Sequence, residues 1–245
     1  MIWITGDTHG DWVHRLNMNS FPEQKEMTKD DYVIICGDFG IWNDTPQQRW
    51  NLSWLEERNF TTLFIDGNHS NFDMLNSYPV SEWHGGKVHF IKPSVIHLMR
   101  GQIFNIEYRT FFTFGGARSH DIKDGILEID DPRIRLWRKD PDKMYRINHI
   151  SWWEEEMPNE EEMAEGRENL ELAGNKVDFI ITHCAPSSTQ DILSGGFYEP
   201  DKLTKYLESM KCGVDYKTWI FGHYHIDKSV TSKDICLFEQ IVRIN

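Results

Sequence analysis

Asp7 and His9 stand one residue apart in "WITGDTHGDW", residues 3–12, straight after a run of strand-forming residues. An acid and an imidazole at that spacing suit a metal ion, although a polar turn that contains a histidine reads the same way. The pattern then recurs. Asp38 follows "YVIICG", Asn68 and His69 follow "TTLFIDG", His183 follows "VDFIIT", and His223 and His225 follow "TWIFG". Open α/β sheets bind ligands beyond the carboxyl ends of their strands, so five strand ends are expected to meet at one edge. Each turn alone is a weak signal, since Asn in a tight turn is common for conformational reasons. Five in order, each at a strand end, make coincidence a poor explanation.

The elements that must position these residues are legible in outline. Continuous apolar runs at 1–5, 32–38 and 61–69 predict strands buried on both faces. Trp50, Trp54 and Leu55 recur at helical spacing after Pro46, predicting a helix over 46–58, and a short helix is expected over 70–78. Alternation with frequent turn residues over 86–116 predicts a β-meander. Residues 117–158 are charged and Trp-rich without a period, and are expected to form a cap-like insertion in a single domain spanning 1–245. A helix follows, N-capped at Asn159 and stopped at Gly174. Then come the strand before His183, a helix around 200–211, the strand before His223, and terminal strands at 228–231 and 235–244.

A chain of 245 residues is long enough to bury a full core. Its net charge of −13 argues against long nucleic acid as a partner, because phosphate-backbone binding needs clustered Lys and Arg. The mean hydropathy is −0.57 and no apolar run approaches a membrane span. The N-terminus enters a strand at once and carries no secretory signal pattern. A cytoplasmic location is expected, with Cys36, Cys184, Cys212 and Cys236 as reduced thiols and Cys36 as a buried small hydrophobe.

The blocks "GDTHG", "GDFGI", "GNHS", "THCAP" and "GHYH" resemble those of the calcineurin-like metallophosphoesterases, in order, from residue 6 to residue 225. The resemblance implies a four-layer α/β/β/α sandwich with two central mixed β-sheets. It also implies a dinuclear site that hydrolyses a phosphoester with a metal-bridging hydroxide as nucleophile. Two cations about 3.5–4 Å apart need a bridging carboxylate, and Asp38 fits that place. Asp7, His9 and His225 would complete one metal, and Asn68, His183 and His223 the other. Mixed imidazole and carboxylate ligands suit Mn above all, with Fe, Zn or Ni as alternatives. The family resemblance makes His69 the proton donor to the leaving oxygen, or a stabiliser of the transition state. The expected partner is a small phosphorylated substrate, a monoester or a diester, with a nucleotide-like compound among the candidates and no membrane involved.

The second block departs from the family pattern. Where the family has Asp, and in protein Ser/Thr phosphatases Asp-Arg, this chain has Ile41 and Trp42. The carboxylate that orients the catalytic histidine and the arginine that grips a phosphomonoester are therefore missing from their usual places. Asp44 or Asp73 is a candidate replacement for the first. Arg118 and His120, in "GGARSHD", are candidates for gripping substrate through charge-assisted bonds. Trp137, Tyr145, Trp152 and Trp153 either stack on a planar group or, the favoured reading, pack the insertion onto the core. Two acidic runs, Glu154 to Glu156 and Glu160 to Glu162, read as a solvated face near a helix start. The competing readings are an interaction scaffold of the same fold with a degraded site, a protein Ser/Thr phosphatase-like enzyme, and a nuclease of the same superfamily. All seven candidate ligand positions hold competent side chains, which weighs against the scaffold.

Overall fold

A computed structural model describes residues 1–40 and 43–244. Ile41 and Trp42, on which the departure in the second block rests, lie outside the described residues. In chain order the strands and helices are β1 (Ile2–Thr5), α1 (Trp12–Arg15), β2 (Tyr32–Ile35), α2 (Pro46–Glu56), β3 (Thr61–Phe64) and α3 (Phe72–Leu75). Next come β4 (Val80–Trp83), β5 (Gly86–Lys92), β6 (Val95–Leu98), β7 (Gln102–Ile106) and β8 (Arg109–Phe114). The insertion contributes β9 (Gly125–Leu127), α4 (Arg133–Trp137) and β10 (Tyr145–Ile147). The chain ends with α5 (Glu160–Leu172), β11 (Lys176–Thr182), α6 (Ser187–Ser194), α7 (Lys202–Gly213), β12 (Asp215–Phe221), β13 (Lys228–Ser229), β14 (Asp234–Cys236) and β15 (Ile241–Ile244).

Among the described residues these strands form two large mixed sheets and one small sheet. The first runs β15-β1-β2-β3-β6-β5-β4 and the second β13-β14-β12-β11-β8-β7; β9 and β10 pair by themselves. The centre of each large sheet is parallel: β1 to β2 to β3 to β6 in one, and β8 to β11 to β12 to β14 in the other. Parallel strands need crossovers, and the helices that supply them cover the outer faces.

Alternation along each strand decides which layer a side chain enters. Ile34 and Cys36 face the second sheet, with Ile4, Leu63, Phe111, Phe179, Ile181 and Ile220. Val33 and Ile35 face the helices, packing with Trp12, Leu52, Leu55 and Phe72. On the far side Phe112, Phe114, Ile180 and Trp219 pack under Met163, Leu170, Leu203 and Leu207. The result is helix, sheet, sheet, helix, the layering implied by the family resemblance. Each fully buried Leu, Ile or Phe contributes about 1.5–3 kcal/mol, and the inter-sheet layer is built almost entirely of such residues.

Several expectations need correction. The meander over 86–116 is split, because β5 and β6 belong to the first sheet while β7 and β8 belong to the second. The chain crosses between sheets at Gly101, which has φ +71 and lies against Gly166 of α5 too closely for a side chain. The expected strand over 235–244 is likewise two strands, β14 and β15, one in each sheet. Trp50 is 55% exposed, and the buried face of α2 is formed by Leu52 and Leu55. The expected helix over 159–174 is α5, with a capping box at Asn159 and Glu162 and an αL glycine at 174.

One buried ion pair ties the two sheets together near the site. Asp66, at the end of β3, accepts from Arg100 Nε at 2.9 Å and Nη2 at 2.6 Å. Arg100 also reaches Glu162 of α5 and the Glu155 carbonyl. Burial pushes the Asp66 carboxyl up, but Arg100 and His97 hold it far below the carboxylate range. Asp66→Asn leaves Arg100 buried and under-compensated, which is expected to cost about 3–5 kcal/mol. Chemical denaturation above pH 6 measures that loss. The folded-state pKa is depressed, so this contribution is present above the unfolded value near ~3.9 and is lost as pH falls through the folded one. Parent and variant are therefore expected to converge in stability in acid.

Candidate metal centre

The carboxyl ends of β1, β2, β3, β11 and β12 converge as the strand-end pattern predicts. Asp7 and Asp38 are each 1% exposed, and His183 is fully buried between them. His183 Nδ1 lies 3.6 Å from Asp7 Oδ1, and its Nε2 lies 3.4 Å from Asp38 Oδ2. Asp38 Oδ2 is also 3.9 Å from His9 Nε2, and Asp7 Oδ2 is 3.2 Å from His225 Nε2. Donor atoms of Asp7, His9 and His225 cluster within 4.8 Å of one another, and so do those of Asp7, Asp38 and His183. Asn68 Oδ1 joins the second group, 3.2 Å from His183 Nε2. His223 stands outside both tight groups, its ring centroid 4.9 Å from that of His183. Asp7 belongs to both groups, and Asp38, a member of the second, comes within 3.9 Å of His9 in the first.

The backbone is bent to achieve this. His9, Asp38, His223 and His225 all have positive φ, between 39° and 69°. Side chains rarely adopt that region, and such strain persists where surrounding structure enforces it. Part of the enforcement is hydrogen bonding into the carboxylates. Asp7 accepts from the His223 amide at 2.9 Å, and Asp38 Oδ1 accepts from the His69 amide at 2.8 Å. Close approach supplies the rest: a Cβ on Gly222 would overlap Asp7 Oδ1, and one on Gly67 would overlap Asp38 Oδ1. Gly222, before His223, and Gly67, before Asn68, thus each make room for the acid of another block.

Electrostatics favours a cation here. Burial opposes charge on Asp38, yet His183, His69 and His9 hold its carboxyl well below the usual range. Burial lowers His183, but Asp38 and Asp7 bring its pKa up to about 9. Burial lowers His9 and His69, and burial with His183 pushes His223 far down. Among the described residues, no Lys or Arg pairs with the side chain of Asp7 or Asp38. Buried carboxylates are normally paired or coordinate a metal, so the donor set fits divalent cations. His183 Nδ1–H donates to the Cys36 carbonyl at 2.9 Å, which fixes the ring and leaves Nε2 for the centre.

The chain matches the calcineurin-like phosphoesterase family over residues 1–227. It belongs to that family. No curated protein sequence matches it. Among solved structures, it is similar to the crystal structure of a phosphopantetheinyl hydrolase from Mycobacterium tuberculosis, at 14% identity and a TM-score of 0.44. That match covers 97% of this chain and 89% of the other. Among the described residues, no helix is long and apolar enough to cross a membrane.

Around the centre, this calcineurin-like phosphoesterase uses its insertion in ways its sequence did not announce. Glu156 is 2% exposed and accepts from Ser119 Oγ at 2.6 Å and from the Ser119 amide at 2.9 Å. Ser119 Oγ in turn accepts from Asn68 Nδ2 at 3.4 Å. The acidic run is thus not a uniform solvated face, because the turn over Glu154–Glu156 points Glu156 inward. Position in a run of glutamates gave no sign of this. Arg146 of β10 was also missed; it pairs with Asp121, Nε to Oδ1 at 2.9 Å.

The remaining candidates are placed as follows. His120 Nε2 is 3.2 Å from His223 Nε2, and the His120 ring stacks on Tyr198. Arg118 is exposed and lines the same cleft. Asp73 accepts from His149 and from Trp153 Nε1, while Asp44 pairs with Arg49. Trp153 is buried in the core beside α3, and Trp137 packs edge-on against Tyr145.

Proposed function

We propose that the chain is a dinuclear-metal phosphoester hydrolase acting on a small phosphorylated substrate. One observation carries this reading: two buried carboxylates, Asp7 and Asp38, face a cluster of imidazoles at the shared edge of both sheets, and among the described residues no Lys or Arg pairs with their side chains. Asp7, His9, Asp38 and His225 would hold one transition-metal ion, and Asp38, Asn68, His183 and His223 the other. Manganese is the first choice by donor type, with iron, zinc or nickel as alternatives. When bound, such ions lower the pKa of water and neutralise the phosphoryl oxygens.

The protein's own residues do the rest. His69, next to Asn68 and with its ring centroid 5.5 Å from that of His9, protonates the leaving oxygen. Asp38 anchors the His69 backbone while its second oxygen stays in the centre. Arg118 and His120 contact the substrate from the neighbouring cleft. The acidic surface, at net charge −13, goes with a small cytoplasmic substrate rather than a polynucleotide.

The test is elemental analysis of the purified chain, read together with manganese-dependent hydrolysis of p-nitrophenyl phosphate and bis-p-nitrophenyl phosphate. About two metal ions per chain with turnover is the expected result. Failure to take up metal after reconstitution with manganese overturns the proposal.

Glu156 offers a second check on the ligand set. Through Ser119 it fixes the Asn68 amide so that Nδ2 points away from the centre and Oδ1 toward it. Glu156→Ala is expected to weaken metal affinity about 10–100-fold, the usual effect of losing a partner that orients a ligand. Metal titration measures this, and Ser119→Ala should act in the same direction.

A further inference from the structure

Two separate clefts border the cluster of candidate ligands, one at His69 and one at His223. The cluster can be followed ring by ring. His69 is 5.5 Å from His9, and His9 is 5.0 Å from His225. Asp7 links His225 to His183. His183 is 4.9 Å from His223, and His223 is 5.3 Å from His120. At the His69 end lies a cleft of about 400 Å³, lined by Arg146, His149, Ile150 and Trp153. At the His223 end lies a cleft of about 310 Å³, lined by Arg118, His120, Lys123 and Tyr198. Its wall is aromatic, with the His120 and Tyr198 rings 4.9 Å apart and 27° from parallel.

We infer that the substrate is a phosphodiester, with one substituent in each cleft. The inference rests on the hydrolase reading above and specifies its substrate class. A phosphomonoester has a single substituent and would leave one cleft unused, although each is of small-ligand size. Charge points the same way. A monoester dianion carries a further negative oxygen that needs its own cationic grip. The cation beside His69 is Arg146, and Asp121 already neutralises it, Nε to Oδ1 at 2.9 Å and Nη2 to Oδ2 at 2.5 Å. In the other cleft, Arg118 and Lys123 are matched by Glu199 and Asp201. Among the described residues neither cleft has surplus positive charge, so both suit uncharged substituents on a phosphate with one negative charge.

The leaving substituent belongs in the His69 cleft, within reach of its proton donor. The retained substituent lies against Tyr198 and His120, where a planar group can stack. Water oxygen bonds to phosphorus while the bond from phosphorus to the leaving oxygen breaks. That oxygen takes a proton from the His69 imidazolium, which regains one from solvent, and the attacking water gives up a proton to solvent. An alcohol leaves from one cleft and a phosphomonoester from the other.

The experiment compares kcat/KM for bis-p-nitrophenyl phosphate and p-nitrophenyl phosphate in the manganese-loaded full chain. It adds calorimetric binding of diphenyl phosphate and phenyl phosphate to the slow His69→Gln variant. A diester preference of about tenfold or more, with tighter binding of diphenyl phosphate, is expected, tenfold corresponding to one stacked aromatic contact. Tyr198→Leu should bring both ratios down toward one, and Tyr198→Phe should restore them. Equal or better use of the monoester, with equal or tighter binding of phenyl phosphate, overturns the diester inference and leaves the hydrolase reading standing. If metal is bound but neither ester is cleaved or held, the hydrolase reading itself falls.

Discussion

Asp38→Asn is expected to remove metal binding and hydrolysis together while leaving the chain folded. The side chain has two separate tasks. Its Oδ1 accepts the His69 amide at 2.8 Å, and its Oδ2 faces His183 at 3.4 Å and His9 at 3.9 Å. An asparagine oxygen can still serve the amide, so the turn after β3 keeps its anchor. The other position becomes an uncharged NH₂ group in the middle of the imidazoles, where it repels a cation and cannot bridge two. Metal stabilisation of transferring phosphoryl groups is worth several kcal/mol, and each 1.36 kcal/mol is tenfold, so a loss on the order of a thousandfold is expected. Elemental analysis, circular dichroism and turnover distinguish the outcomes. Full metal content with lost turnover would reassign Asp38 to the chemical step. Unchanged content and turnover would remove it from the centre.

The parts of the site that were legible in the sequence share one property. Asp7, Asp38, Asn68, His183, His223 and His225 each follow a buried apolar strand, and strand ends in a parallel sheet converge by geometry. Chemistry-bearing residue types at such positions can be recognised without knowing any contact. Ser119 and Glu156 lacked that signature. A serine in a polar loop and the last residue of a glutamate run look solvent-facing, and only the fold shows that both are buried, Ser119 against Asn68 and Glu156 against Ser119. Arg146 was hidden in the same way, inside an insertion with no period to read. The unusual second block drew attention to Asp44 and Asp73, but both carboxylates are engaged elsewhere, by Arg49 and by His149 with Trp153.

The fold shows the same division. Buried central strands were found because they are continuous apolar runs, and α5 because its cap and stop residues are explicit. Sheet membership was not found. Alternation in 86–116 announces strands and turns, but it cannot say that β6 pairs with β3 in one sheet while β7 pairs with β8 in the other. That choice is made by long-range packing: Ile96 and Leu98 share the inter-sheet core with Phe104 and Ile106 from across the crossover. The short strand β4, with its half-exposed pattern, pairs with β5 at the sheet edge and has too weak an apolar signal to stand out.

His69→Gln should separate metal binding from chemistry. His69 is adjacent to Asn68, yet its ring belongs to the cleft with Arg146 and Trp153, while its backbone amide is what Asp38 holds. Glutamine keeps that amide and the approximate size of the side chain, so both metals are expected to remain. Proton transfer by a positioned side chain is worth about 10²–10⁴-fold, and kcat should fall by that amount with KM little changed. The size of the loss should also depend on the leaving group. p-Nitrophenolate departs readily without a proton, whereas an alkoxide does not. An alkyl phosphodiester should therefore suffer more from His69→Gln than bis-p-nitrophenyl phosphate does. Equal losses on both substrates would mean that His69 stabilises the phosphoryl oxygens rather than the leaving one. Loss of metal in the variant would make His69 a ligand or a ligand support, and the proton for the leaving group would then have to come from the other cleft, where His120 is an imidazole not assigned to a metal.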